Sequence, residues 1–197
     1  MITKKFYNLG KNQLFNICRS ITGDGVRKTL KIYKKKFPKL KIKSIKSGTK
    51  VFDWTVPPEW NIKNAYILDK YNKKIVNFKN NNLHIVSYSQ PLNKKISKNE
   101  LFKKLHSLKM QPTAIPYVTS YYKKDWGFCI SHKEKKKFNK QYKTKDIFRV
   151  VIKSSYNKSG KLNYGELLIK GKSREEILIT TYICHPSMAN NELSGSI

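Results

Sequence analysis

Three observations predict an α/β fold on a mixed sheet, with a β-rich α+β module set into it. Apolar residues recur at helical spacing through the first forty positions. Short aromatic, β-prone segments separated by turn signals fill the middle of the chain. Near the end, Ile177 to Cys184 is an unbroken β-prone run that stops at His185-Pro186. Such a run suits a strand covered on both faces, and Pro186 closes its ladder.

Leu14, Phe15, Ile17, Cys18 and Ile21 place an amphipathic helix over about residues 9–21. Gly23-Asp24-Gly25 breaks it, Asp24 caps a second helix with apolar face Val26, Leu30, Tyr33 and Phe37, and Pro38 ends that helix. Leu40, Ile42 and Ile45 alternate with lysines as a strand with one wet face. The β-prone segments are Val51–Val56, Ala65–Leu68, Ile75–Phe78, Leu83–Tyr88, Trp126–Ile130 and Phe148–Ile152. Two helices interrupt them. Ser97 caps one, with Glu100 as box partner and Leu101, Phe102, Leu105 and Leu108 facing inward; Ser131 with Glu134 starts the other. Leu162–Lys170 is a strand, and Gly171–Arg174 a hairpin turn into the Ile177–Cys184 run. So short a link makes the two strands antiparallel neighbours, and the sheet mixed. The organisation is residues 1–47 as an N-terminal helical part, 48–152 as an inserted β-rich domain, and 153–197 as the start of a core.

The net charge is +30. Clustered cations would point to nucleic acid or another anionic partner. Here lysines run through every segment among Asn, Ile and Tyr, the mark of an AT-rich coding sequence, and only four arginines occur. Nucleic acid is therefore not the expected partner. No apolar run reaches membrane-spanning length. Three scattered cysteines and the lack of a secretory signal set a cytoplasmic expectation. There is no Gly-x-Ser-x-Gly elbow and no Cys-x-x-Cys, and Cys184 and His185, adjacent on a strand, are expected to face opposite ways.

His185 stands at the carboxyl end of the inner strand, where open α/β sheets bind ligands, and a small polar loop follows it. The run Gly165–Gly171, then Ile177–Cys184, His185 and Ala189-Asn190-Asn191-Glu192-Leu193-Ser194-Gly195, resembles the start of the catalytic core of co-catalytic zinc aminopeptidases. The chain looks most like bacterial aminopeptidase-like proteins carrying an inserted domain of unknown function. The matching blocks are Leu14–Leu30, Phe52–Trp60, Leu83–Pro91, Ala114–Tyr122, Trp126–Cys129 and Cys184–Ser187.

The resemblance implies an aminopeptidase-like fold, two zinc ions in a complete protein, and His185 as a metal ligand. Paired-metal hydrolysis needs cations about 3.5–4 Å apart with a carboxylate between them. Where the clan has that bridging Asp this chain has Asn191, which is neutral; Glu192 next to it can supply a carboxylate. The metal candidates are therefore His185, Asn191 and Glu192, while His84, His106 and His132 are expected to be structural. The clan's other ligands and its general base lie downstream of this loop. The sequence is accordingly expected to be an N-terminal fragment of a hydrolase acting on a peptide or related amide, binding one zinc or none and inactive alone. The alternative is a non-catalytic binding protein using its basic surface on an anionic partner.

Overall fold

The computed structural model describes residues 2–196, and of residues 2, 3, 190 and 191 the backbone alone. In chain order the elements are α1 (Ile2–Leu9), α2 (Asp24–Lys36), β1 (Lys41–Lys46), β2 (Lys50–Val51), β3 (Trp54–Thr55), β4 (Glu59–Leu68), β5 (Lys74–Asn77), β6 (Leu92–Ser97), α3 (Lys98–Lys103), β7 (Leu105–His106), β8 (Phe128–Cys129), α4 (His132–Gln141), β9 (Ile147–Asn157) and β10 (Lys161–Glu166). Single wide turns occupy Gly10–Leu14 and Ala189–Leu193. The chain packs as two units, Met1–Glu59 with Asn157–Ile197, and Trp60–Tyr156. No helix among the described residues is long and apolar enough to cross a membrane.

In the first unit, α2 begins where Gly23 takes φ 91°, a left-handed conformation that favours glycine. It buries Val26, Thr29, Leu30 and Tyr33 and ends before Pro38. β1 then pairs antiparallel with β10, from Lys41↔Glu166 to Lys46↔Lys161. Arg27 of α2 grips both oxygens of Glu59, at 2.9 and 2.7 Å, and Glu59 also accepts the Lys161 N–H at 3.1 Å. Leu9, Leu14, Ile17, Tyr33 and Leu193 form a buried cluster, with Phe6, Ile32, Phe37, Leu40 and Ile183 packed against it. This cluster matters for function, because Ile183 and Leu193 are the two feet of the loop that carries His185.

In the second unit four strands lie in the order β5-β4-β9-β6. β6 runs antiparallel to β9 from Leu92↔Ile152 to Ser97↔Ile147. Phe148, Val150 and Ile152 of β9 are buried. α4 closes over them, with Phe138 5.1 Å from Phe148 ring to ring. Its start is the predicted capping box: Ser131 accepts from the Glu134 N–H while the Glu134 carboxylate takes the Ser131 N–H. Ser97 likewise caps α3.

The structure is a mixed α/β fold with small sheets, and it corrects the sequence reading in several places. Ile177–Cys184 forms no strand: residues 167–184 carry no regular structure, and Ile177, Leu178 and Ile179 are 91%, 87% and 85% exposed. A β-prone run becomes a strand only when neighbours take its backbone N–H and C=O groups. Here β10 stops at Glu166 and pairs with β1, and no described strand registers with the later run. The Gly171–Arg174 hairpin is therefore unpaired, and the described sheets of the first unit are two antiparallel pairs, β1–β10 and β2–β3. The first helix lies earlier than residues 9–21, because the chain leaves helical geometry after Phe15 and Arg19 turns inward. Val51–Val56 folds back on itself at Phe52, at φ 51°. Leu83–Tyr88 makes only a short turn and isolated bridges, with Tyr88 at φ 66°. α3 stops at Lys103, so Leu105 enters β7 and Leu108 is exposed.

Candidate metal centre

The loop from Cys184 to Glu192 is short and anchored at both ends. Ile183 and Leu193 pack on the helical cluster, Pro186 is buried, and the wide turn at Ala189–Leu193 closes with Ser194 N–H on the Ala189 carbonyl at 3.0 Å. One effect of the turn is to direct Glu192 back at His185. A second is to hold the far end, where Ser196 Oγ donates to the Glu192 carbonyl at 2.8 Å and lies 2.6 Å from the Tyr33 hydroxyl.

Glu192 is fully buried. Its Oε2 accepts the backbone N–H of His185 at 3.0 Å, and its Oε1 is in close contact with the imidazole Nδ1. Cys184 Sγ lies 3.5 Å from the same Nδ1. Because the chain here is a bent loop, two adjacent side chains converge on one point, which corrects the expectation that Cys184 and His185 face apart. The three residues each offer a ligand atom, all within 4.8 Å of one another.

Electrostatics follow from this geometry. Hydrogen bonding to the Cys184 sulfur and then to the Glu192 carboxylate raises the imidazole from 6.5 to about 10. Burial works against charge on Glu192, but the hydrogen bonds from His185 outweigh it and hold the carboxyl below its ordinary range. The raised imidazole favours the protonated ring beside the Glu192 carboxylate.

Of the predicted site residues, the structure brings His185 and Glu192 together; the side chain of Asn191 lies outside the described ones. The other histidines sit elsewhere: His84 bonds the Cys129 carbonyl at 2.8 Å, His132 lies 3.1 Å from Ser107 Oγ, and His106 is half-buried in the second unit. Sequence reasoning missed two residues. Cys184 was set aside by assuming strand geometry. Arg19, 1% exposed, gives Nε to the His185 carbonyl at 2.9 Å; the one signal for it was an arginine between apolar positions in a chain that otherwise uses lysine.

The donor set fits zinc. Thiolate, imidazole and carboxylate are its usual ligands, and the Cys184 sulfur argues against magnesium or calcium, which take oxygen.

A family model described as a domain of unknown function, DUF4910, matches residues 7–197. The chain is 52% identical over 191 residues to a Clostridium acetobutylicum protein, covering 97% of this chain and 42% of the relative. That protein carries the provisional name of a polysaccharide biosynthesis protein with an aminopeptidase-like domain. A crystal structure from Clostridium acetobutylicum, described provisionally as a peptidase, matches with a TM-score of 0.89 at 50% identity, over 99% of this chain and 44% of that one. The chain thus spans less than half the length of either relative.

Proposed function

The chain belongs to the DUF4910 family, and on that premise we propose that it supplies part of a zinc-dependent, aminopeptidase-like hydrolytic centre acting on a peptide or related amide. The observation that carries the reading is the meeting of His185 and Glu192 across a seven-residue separation, with the Cys184 sulfur beside them. His185, Glu192 and Cys184 would hold the ion, with Asn191 next to Glu192 in sequence as the remaining candidate ligand. Zinc supplies Lewis acidity and lowers the pKa of bound water. What the chain's own residues do is hold the loop. Ile183 and Leu193 anchor the loop and Glu192 orients the imidazole; metal binding would displace a proton from the raised imidazole, so it would be coupled to proton release. The names of the relatives support a peptidase-like activity.

The test is metal content. Purified chain dialysed against zinc chloride and then metal-free buffer is expected to retain close to one equivalent, and a His185→Ala variant to lose it. Retention by the variant, or no retention by the parent, refutes the reading. A second reading rests on a separate observation. On α4, Lys133, Lys136, Lys137 and Lys140 line an open groove of about 580 Å³. Steeply salt-dependent binding of an oligonucleotide by metal-free chain would favour an anion-binding role instead.

A further inference from the structure

Arg19 is the most deeply buried cation among the described residues, 1% exposed, and it stands far from His185 in sequence. Its guanidinium makes two backbone hydrogen bonds, Nη1 to the Leu14 carbonyl at 2.6 Å and Nε to the His185 carbonyl at 2.9 Å. Its third arm, Nη2, is buried with no acceptor among the described residues. Two backbone carbonyls can be bridged by a neutral donor. Burying a full positive charge with one arm unpaired is costly, and needs an anion nearby to hold it. The Glu192 carboxylate is the charge that does most to offset that cost. The arginine's own backbone is fixed as well. A Cβ on Gly25 would stand 2.9 Å from Arg19 Cα and 2.0 Å from the Cys18 carbonyl oxygen, so α2 presses directly on this stretch.

We infer that Arg19 is a positioning residue of the metal centre: it fixes the His185 backbone, and through it the imidazole, while setting a permanent cation beside the Glu192 carboxylate. The inference rests on the reading of this loop as a metal cradle. Groups that orient ligands from behind set metal affinity, and removing one costs about 10- to 100-fold. Arg19 reaches the site from the segment after α1, so the N-terminal helical part is structurally tied to the loop and does not merely cover it.

The experiment measures zinc affinity by chelator competition, with Co²⁺ absorption as a second readout, in the parent, Arg19→Gln, Arg19→Lys and His185→Ala. Arg19→Gln is expected to weaken zinc binding about tenfold or more, and to change the Co²⁺ spectrum. Arg19→Lys, which keeps the charge but not the fork, should fall between it and the parent. If Arg19→Gln keeps the parent's circular dichroism and binds zinc as tightly, while His185→Ala loses zinc, the inference on Arg19 fails and the metal reading stands. If His185→Ala binds as the parent does, both fail. If the Arg19 variants do not fold, the parent carries the test. Its Arg19 Nε–H resonance is expected to shift on adding zinc, and a resonance that does not move overturns the inference.

Discussion

Replacing Glu192 by Gln keeps the size of the side chain and removes its charge, which isolates what the carboxylate does for His185. In the parent the imidazole is raised from 6.5 to about 10. A rise of that size separates the two protonation states by roughly 5 kcal/mol. The ring is 23% exposed and Cys184 supplies the larger share of the shift. The part of stability that goes with Glu192 is therefore about 2 kcal/mol. The sign follows from the direction of each shift. A raised His stabilises fully below pH 6.5 and stops doing so as pH climbs through about 10; a lowered Glu stabilises above 4.5 and stops as pH falls below that. The difference in urea stability between parent and variant should thus be greatest near pH 5–6.5, shrink through pH 8, and close by about pH 10. NMR titration of the four histidines reads the same event directly, with His185 as the outlying curve in the parent and displaced downward in the variant. A parent in which every histidine titrates near 6.5, or a stability difference that does not change between pH 6 and 10, refutes the reasoning.

Three further outcomes are expected. Glu59→Gln leaves Arg27 without its bidentate partner and should destabilise the first unit by about 2–4 kcal/mol, seen in urea unfolding, with the second unit's transition unchanged. Gly25→Ala should prevent the first unit from folding, since its Cβ would meet the Cys18 carbonyl at 2.0 Å, and loss of near-ultraviolet dichroism checks this. Leu178→Thr should shift stability by no more than about 0.5 kcal/mol, because Leu178 is 87% exposed; a large loss in thermal unfolding would mean that the run is buried after all.

How much of this was legible depended on how local the determinant was. The Ser131–Glu134 box, the Ser97 cap and the stop of α2 before Pro38 are fixed by residues within one turn of each other, and each was readable as written. The core of β9 was equally plain from its apolar run. Ile177–Cys184 shows the opposite case. An apolar run states a need for cover, and whether cover is present depends on strands that the run itself does not encode. The site was half legible for the same reason. His185 was singled out by the resemblance and by a strand end that the structure does not form. The approach of Glu192 depends on a wide turn at Ala189–Leu193 that no sequence signal announces, and the arrival of Arg19 depends on a helix ending earlier than its apolar spacing suggested. Cys184 was lost by one wrong assumption about the backbone around it.

The seam at Glu59 has a consequence for how this architecture can change. The chain departs from the first unit there and rejoins it at Asn157, and Glu59 already touches Lys161 and crowds Gly160 just past the return point. The two strands that cross the seam, β4 and β9, are neighbours in the second unit's sheet, and on the first unit's side Glu59 adds its own hold on the return point through Lys161. Changes confined to Trp60–Tyr156 would therefore leave the β1–β10 pair and the Glu59–Lys161 contact, both internal to the first unit, in place.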